Sequence, residues 1–524
     1  MVEIMGIRLL FPIWLPILLP FAGGFVLAVD SFVRHIRLPK EDKSGRLSES
    51  VAERRRIHLY AGVVLLLSAA CALACGLCGT EEEPLRLLAL GENLTLELGV
   101  DAVGALFVCV TTAIWVLVGI YAFAYMNHEG EQRRFFGFYL MLYGVLVALD
   151  FSANLVTLYF FYELMTLVSV VLVLHGGSRE AIMAALKYLF YSMCGAYLGL
   201  CGIFYLNRYC VDLRFAGGGR LDMALLAGHE RMLLVVVFLM LIGFGAKAGM
   251  FPLHGWLPAA HPVAPSPASA VLSGIIVKSG VLATVRVVYC IVGADFVRGT
   301  WVQTAWMSLT LLTVFMGSLL AFREPVTKKR FAYSTVSQVS YILFGLSLLE
   351  EQALTGSFLH VAFHAVIKSG LFLSAGIFLV VAGRTRVEEL SGIGRKMPVM
   401  LWCYTIFALA LVGIPPTSGF VSKWQLAVGA LSADAGFFGW FGPAVLLVSA
   451  LLTAGYLLPI TMRGFFPGED DRCGELAKKE PPLFMLAPLI ALAALALLFG
   501  VFPNGLLDTC RDLACALLQK GGGL

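Results

Sequence analysis

Five lysines and one glutamate lie in apolar stretches of this sequence, where a charge survives mainly beside a partner or a water-filled path. Lysine changes its protonation state readily when it is buried, whereas arginine stays charged. A row of such groups is typical of a proton or ion route through a membrane. The six residues are Lys187, Lys247, Lys278, Lys368, Lys423 and Glu163.

A second pattern is a stripe of His360, His364 and Lys368, which recur at i, i+4 and i+8 and so share one helical face. Histidine titrates near neutral pH, so this stripe can relay protons. His360 and His364 could instead chelate a metal ion, but no carboxylate or third ligand is nearby in sequence. We therefore predict a relay and no metal site.

Glu163 is the acid that lies deepest in a predicted span, whereas Asp101 and Asp150 fall at predicted span ends. A buried carboxylate tends to be neutral unless it is paired, and the expected partner is Lys187 or Lys247. A pair whose geometry changes can load or release a proton at the lysine. A static structural ion pair is the alternative.

Prolines interrupt two of the predicted spans close to these lysines. Pro252 follows Lys247, and Pro415 and Pro416 precede Lys423. Proline removes a backbone donor, and in lipid the freed carbonyls must be satisfied by protein or water. Paired broken helices therefore predict an ion site. His254 and His261, beside the first break, are either gating groups or ordinary loop histidines.

The composition explains how these residues are positioned. Of 524 residues, 59% are hydrophobic and only 14% are charged, and apolar stretches recur from end to end. We predict an all-α polytopic membrane protein of about 14 transmembrane helices. Cys71, Cys75 and Cys78 form a cluster, which we interpret as small apolar helix residues because an iron–sulfur site needs a fourth ligand.

Loop charges predict the orientation of the chain. Basic residues are concentrated in alternate loops, beginning with the long polar loop 31–56, which the positive-inside rule places in the cytoplasm. Both termini are then on the outer face of a prokaryotic cytoplasmic membrane. Lys328 falls in a cytoplasmic loop, and Arg286 lies near a span end, from which its side chain can extend to the membrane surface.

The two breaks also resemble each other. Pro252-Leu253-His254-Gly255-Trp256 matches the segment 416–420 in its Pro, Gly and aromatic spacing. This predicts two five-helix repeats, and an odd number of helices makes the second repeat inverted. The predicted regions are a three-helix segment with a basic loop (1–130), the first repeat (131–292), the second repeat (301–462) and a C-terminal loop with the last helix (463–524).

Several longer strings resemble the antiporter-like subunits of the complex I superfamily, which includes complex I, membrane-bound hydrogenases and Mrp-type Na+/H+ antiporters. They are FFYELMTLVS, FGAKAGMFPLHGWLPAAHPVAPSPASAVLSGIIVKSG, KKRFAYSTVSQVSYILFG, HVAFHAVIKSGLFLSAG and PPTSGFVSKWQL. The resemblance covers nearly the whole chain and is strongest from about 105 to 425. The sequence departs from the family pattern at Tyr162, where Trp is common.

The resemblance implies 14 helices with inverted five-helix repeats. It also implies that Glu163 and Lys247 form a modulating pair, that the central lysines and histidines relay protons, and that Lys423 connects to the outlet or to the next subunit. The expected partners are other membrane subunits, including further antiporter-like ones, the lipid bilayer and, if the complex is redox-driven, peripheral redox subunits; no nucleic acid is expected. Iron–sulfur or other redox centres are expected in those partners and none in this chain.

Three functions remain open from the sequence. The first is a proton-translocating subunit of a redox-driven complex, the second is a subunit of an Mrp-type secondary Na+/H+ antiporter, and the third is a scaffold that no longer conducts. The intact set of lysines argues against a scaffold. One embedded acid makes a Na+ site difficult to build, because hard cations prefer oxygen ligands.

Overall fold

The structure is a computed structural model that describes residues 12–37, 49–79, 83–89, 91 and 94–519. The first predicted span starts at residue 8, and residues 8–11 lie outside the described part of the chain. The middle of the predicted cytoplasmic loop 31–56, residues 38–48, lies outside it as well. The described residues form a helical bundle with one short hairpin.

The N-terminal part contains the hairpin and the first broken helix. Polar caps begin several of its helices; for example, Asp101 accepts from the Gly104 amide and Asn154 from the Thr157 amide. Its elements are α1 (Leu15–Arg37), α2 (Val51–Cys78), β1 (Leu85–Ala89), β2 (Thr95–Leu98), α3 (Ala102–Glu129), α4 (Gln132–Asp150), α5 (Leu155–Val173), α6 (Arg179–Tyr209), α7 (Met223–Leu226), α8 (Glu230–Ala248) and α9 (Leu257–Val263).

The rest of the chain begins with a long inner helix that contains two π-helical stretches, 272–276 and 286–292. Its elements are α10 (Ser266–Val271), α11 (Val277–Val285), α12 (Ala294–Val297), α13 (Trp301–Arg323), α14 (Thr327–Ser347), α15 (Glu351–Ala382), α16 (Ile393–Lys396), α17 (Pro398–Val412), α18 (Ser418–Ser432), α19 (Phe437–Phe465), α20 (Leu483–Val501) and α21 (Asn504–Leu518).

Within the described ranges, 11 helices are long and apolar enough to cross a membrane. The prediction of a helical multi-span membrane protein is confirmed at this level. The antiparallel hairpin of β1 and β2, in which Arg86 is paired with Glu97, was not predicted. Its strands are only five and four residues long, far shorter than the apolar spans on which the prediction depends.

The helices that carry most of the candidate residues lie inside the bundle. The continuous helix 266–292 and helices α14 and α15 are almost entirely buried. One polar residue of α14 joins a chain of hydroxyls: Ser337 and Ser318 are 2.8 Å apart, and Ser318 and Ser449 are 2.6 Å apart. Buried hydroxyls that hydrogen-bond to one another in this way are satisfied without water. In contrast, the side-chain amide of Gln338 has no hydrogen-bond partner among the described residues.

Both predicted breaks are present, and they share a local geometry. Helix α8 ends at Gly249 (φ 80°), and α17 ends at Gly413 (φ 93°). The positive φ suits glycine, which ends a helix without a steric penalty. The third residue after each glycine, Pro252 or Pro416, follows a cis peptide bond. Each break therefore exposes the carbonyl end of a helix within the protein.

Candidate functional site

Lys247 lies in the last turn of α8 and is completely buried. Its Nζ donates to Thr166 Oγ1 at 2.8 Å, and to the hydroxyls of Tyr188 and Ser192, each at 3.0 Å. It also lies 4.6 Å from the centre of the Tyr188 ring, which attracts a cation. Hydroxyls can both donate and accept, so they suit the charged ammonium and the neutral amine alike.

Glu163 lies on α5, one turn before Thr166, and is half-buried. No described residue hydrogen-bonds to its Oε1 atom. Its side chain borders an otherwise mostly apolar cavity of about 360 Å³ between α5, α6 and the hairpin. Thr166 links the two candidates, because it follows Glu163 on the helix and accepts from Lys247.

Lys187 is on the outside of α6 and is exposed in the isolated chain. Its Nζ is 5.9 Å from the centre of the Tyr191 ring, beside Gly255 of the first break. In the part of the chain that the structure describes, neither Lys187 nor Lys247 comes within 4.0 Å of a Glu163 oxygen. The predicted glutamate–lysine pair is therefore not a direct contact in this conformation.

The centre of the site is a contact between Lys278 and the histidine stripe. The Nζ of Lys278, on α11, is 2.6 Å from His364 Nδ1 and donates to the Ser273 carbonyl at 2.9 Å. The rings of His364 and His360 are 5.8 Å apart, and His360 Nδ1 is 2.9 Å from Ser422 Oγ on α18. A nearly continuous polar chain therefore runs from α11 to the second broken helix.

Lys423 follows the second break and points back across it. Its Nζ donates to the carbonyls of Leu411 and Val412, at the end of α17, and lies 5.0 Å from the Tyr341 ring. The carbonyl end of a helix carries a partial negative charge, which stabilises a cation. We refer to Lys247, Lys278, His364, His360 and Lys423 as the lysine–histidine axis.

The first two lysines of the axis lie on helices that touch. A Cβ atom at Gly280 of α11 would collide with the α8 backbone, at 2.8 Å from the Ala248 nitrogen. Only the absence of a side chain permits this approach. It places Lys278, two residues before Gly280, on a helix in direct contact with the end of α8, where Lys247 lies.

Lys368 lies one turn after His364 on α15 and is completely buried. Its Nζ donates to the Phe331 carbonyl of α14 at 3.0 Å. It shares the histidine face, as the spacing predicts, but its hydrogen bond is to neutral backbone.

The candidate gating residues surround the first break. His261 is completely buried and stacks on Phe372 at 4.5 Å, and neither ring nitrogen has a partner among the residues described. His254 stacks on Phe251 at 6.0 Å. His254 thus lies within the break itself, whereas His261 lies on α9 and packs against α15.

Sequence reasoning missed several buried charged residues, including Lys328 and Asp150, and misplaced Arg286. Lys328 is buried in α14 and donates to the Ala264 carbonyl at 2.9 Å, although its sequence neighbours suggested a loop. Asp150 ends α4 as predicted, yet it is buried and accepts from Thr111 at 3.0 Å. Arg286 does not extend to the surface: it is buried and donates to Asp101. The sequence signal that could have indicated this burial was Asp101, a residue of opposite charge at the end of another predicted span.

No cluster of three or more His, Cys, Asp or Glu side chains suited to a metal ion occurs among the described residues. Cys71 and Cys75 are buried on α2, and Cys78 is exposed at its end.

Two family sequence models match parts of this chain. Residues 152–453 match the sequence model of the family described as "NADH:quinone oxidoreductase/Mrp antiporter, TM". Residues 88–136 match "NADH-Ubiquinone oxidoreductase (complex I), chain 5 N-terminus". The first match covers more than half of the chain and includes every residue of the lysine–histidine axis.

Individual relatives cover nearly the full length. The chain is 32% identical to NADH-quinone oxidoreductase subunit N of Desulforudis audaxviator, over 89% of this chain and 94% of the relative. It is 28% identical to an Na(+)/H(+) antiporter subunit of Alkalihalophilus pseudofirmus, over 96% and 97%. In fold it is similar to a chain of the archaeal membrane-bound sulfane sulfur reductase, with a TM-score of 0.79 at 22% identity, covering 97% and 98%.

Proposed function

We propose that this chain, which belongs to the antiporter-like membrane-subunit family of NADH:quinone oxidoreductases and Mrp antiporters, carries protons along the lysine–histidine axis. We propose further that it does so as one subunit of a multisubunit, redox-driven complex. The observation that carries the proposal is the 2.6 Å contact between Lys278 Nζ and His364 Nδ1, two buried titratable groups on different helices. Such a hydrogen bond is a path for a proton.

The other axis contacts support the same role. Lys247 is held by hydroxyls and Lys423 by backbone carbonyls, so each can release a proton without leaving a carboxylate unpaired. The step from His364 to His360 spans 5.8 Å between ring centres and needs a water or a ring movement. Beyond it, Ser422 joins His360 to the helix that carries Lys423.

Glu163 and Lys187 act in this proposal as groups that modulate and supply the axis. Glu163 is close to Lys247 through Thr166, so a change in its charge alters the field at that ammonium. Lys187 lies on the outer surface of α6, where a neighbouring subunit can cover it. His254 and His261, together with the breaks at Pro252, Pro415 and Pro416, gate access, and Lys368 extends the relay along α15.

The transported ion in this chain is the proton. Within the described ranges, none of the axis lysines has a carboxylate within 4.0 Å, and a hard cation such as Na+ needs oxygen ligands and negative charge. The similarity to the Na+/H+ antiporter relative keeps the second candidate, a subunit of an Mrp-type secondary antiporter. In that case an ion gradient would replace electron transfer as the driving force.

We also propose the finer topology. Helices α4 and α14 and the broken pair α17–α18 add three crossings to the 11 apolar ones, which makes 14. The segments 131–292 and 301–462 are then inverted repeats, and both termini face outward. Reporter fusions at residue 50 and at the C-terminus test this: cytoplasmic activity at residue 50 and outward activity at the C-terminus are expected. The reverse pattern would contradict the orientation.

Proton transfer is tested with the complex purified from native membranes and reconstituted in liposomes. Lys278→Ala should abolish proton uptake, whereas Lys329→Ala, at a half-exposed lysine at the beginning of α14, should leave it unchanged. Uptake should persist when Na+ is removed. Normal uptake by Lys278→Ala would contradict the proposal.

The same purification separates the two candidates. Co-purifying subunits with iron–sulfur or other redox centres, together with further antiporter-like subunits, would support a redox-driven complex. Partners that are all membrane subunits without redox centres would establish the secondary antiporter instead. We expect the redox centres in the partners and none in this chain.

A further inference from the structure

Asp150 is a buried carboxylate outside the lysine–histidine axis. It is the last residue of α4, only 3% exposed, and Thr111 Oγ1 of α3 donates to it at 3.0 Å. Burying a carboxylate is unfavourable unless several donors compensate it, and Thr111 is the single side-chain donor that the described residues provide. The cost of keeping an acid here therefore calls for an explanation.

A small cavity joins Asp150 to the centre of the axis. It has a volume of about 10 Å³, room for one water molecule, and Asp150, Thr111 and Lys278 line it together. The Lys278 ammonium has three N–H donors and uses two of them, on Ser273 and His364. The third can reach a water in this cavity, and the Asp150 carboxylate can accept from that water.

On its other side, Asp150 adjoins a solvent-exposed part of the protein. Gly104 of α3 packs so closely that a Cβ atom would collide with the Asp150 carbonyl and lie 3.1 Å from Asp101 Oδ1. The Asp101 side chain is 21% exposed and accepts from Arg286. The residue after Asp150, Phe151, accepts from the Gly99 amide in the segment that follows β2. Asp150 thus lies between Lys278 and the exposed end of α3.

We propose that Asp150 is a branch of the proton route, which takes protons from Lys278 towards the exposed end of α3. The Lys278 ammonium gives a proton to the cavity water, whose own proton passes to the Asp150 carboxylate. The products are a neutral Lys278 amine and a neutral Asp150 carboxylic acid, and the water is regenerated. This inference rests on the proposed proton-carrying function and extends it to a residue that the axis does not contain.

The test uses the intact complex in liposomes, with three variants beside Lys278→Ala. Asp150→Asn keeps the shape and removes the proton acceptor, so proton uptake should fall at least fivefold. Asp150→Glu restores a carboxylate, so uptake should recover to at least half of the wild-type value. Val361→Ile adds a methyl group to the cavity wall and should lower uptake at least twofold by excluding the water, although every titratable group remains.

The outcomes are separable. If Lys278→Ala conducts normally, the proposed function itself is wrong. If Lys278→Ala is inactive while Asp150→Asn conducts like the wild type, the branch is wrong and the axis stands. Loss with Asn that Glu does not restore, together with an unaffected Val361→Ile, would assign Asp150 a purely structural role and overturn the inference. If Asp150→Asn does not assemble, the other two variants test the branch. Reduced uptake by Val361→Ile with near-normal uptake by Asp150→Glu would support it, and an unaffected Val361→Ile would overturn it.

Discussion

Two regions of this molecule bury charge in opposite ways. On the hairpin, Glu97 is 1% exposed and accepts from Arg214 at 2.9 and 3.1 Å and from Arg86 at 3.2 Å. In the lysine–histidine axis, Lys247 is equally buried but donates to three neutral hydroxyls. The first arrangement, which we name the hairpin cluster, fixes a charge by opposite charges. The second solvates a charge without neutralising it.

The difference indicates which of these groups can change their protonation state. A carboxylate held by two arginines stays ionised, because protonating it would leave the guanidinium groups without their partner. An ammonium held by hydroxyls or backbone carbonyls loses less when it becomes neutral, since a hydroxyl can also donate to the amine and a neutral amine can still donate an N–H to a carbonyl. We therefore propose that proton transfer belongs to the region with incomplete charge compensation, and we expect the hairpin cluster to be structural.

The largest expected effect follows the removal of an axis lysine. Lys247→Ala deletes the cation and leaves Thr166, Tyr188 and Ser192 to bond with one another, so proton uptake should fall by about a hundredfold or more. Uptake is measured in liposomes that contain the whole complex. The subunit should still assemble, because a charge without a counterion contributes little stability. Wild-type uptake by this variant would remove Lys247 from the axis.

A charge-preserving change at the second break distinguishes a titrating group from a fixed one. Lys423→Arg keeps the positive charge and the donors to Leu411 and Val412, but arginine does not release its proton. We expect uptake to fall about tenfold or more, as far as in Lys423→Ala. If the arginine variant conducts like the wild type, Lys423 is a static cap on α17, comparable to the arginines of the hairpin cluster.

A smaller effect is expected where a neutral group links two axis members. Ser422→Ala removes the hydroxyl that contacts His360, a hydrogen bond worth about 1 kcal/mol, so uptake should fall roughly fivefold. Ser418→Ala is the matched control, since this buried hydroxyl on the same helix has no partner in the part of the chain described. Equal activities of the two variants would show that Ser422 is not part of the path.

The sequence indicated which residues of the proposed axis are unusual, but it did not predict their contacts. Lys247, Lys278, His360 and His364 stand out because a charged or titratable group in an apolar helix is costly and therefore rare. Their partners are ordinary serines, threonines and carbonyls, such as Ser422 and the Ser273 carbonyl, which no local pattern distinguishes. The missing contact between Glu163 and the lysines has the same origin, because span position does not determine which face of a helix meets which neighbour.

The long-range pairs were harder still. Arg286 and Asp101 are separated by 185 positions, and Glu97 and Arg214 by 117. Each member looked like an ordinary residue at a span end or in a loop. Only the packing of α3 against the inner helix, and of the hairpin against the segment before α7, brings the members together.

The smallest effect is expected in the hairpin cluster. Burial raises the pKa of Glu97, but the hydrogen bonds from Arg214, Thr95 and Arg86 and the charge of Arg214 together outweigh burial, so the pKa lies below the usual carboxyl value. A lowered pKa stabilises the fold above the unfolded-state value, and this contribution is lost as pH falls through the folded value. Glu97→Gln should therefore destabilise the subunit by about 1 kcal/mol at pH 7, since both arginines are half-exposed, and by less near pH 4.

Thermal unfolding of the purified complex measures this, with Asp508→Asn as the control for an exposed pair. Proton uptake should stay at the wild-type level, and a loss as large as in Ser422→Ala would mean that compensated charges also take part in transport.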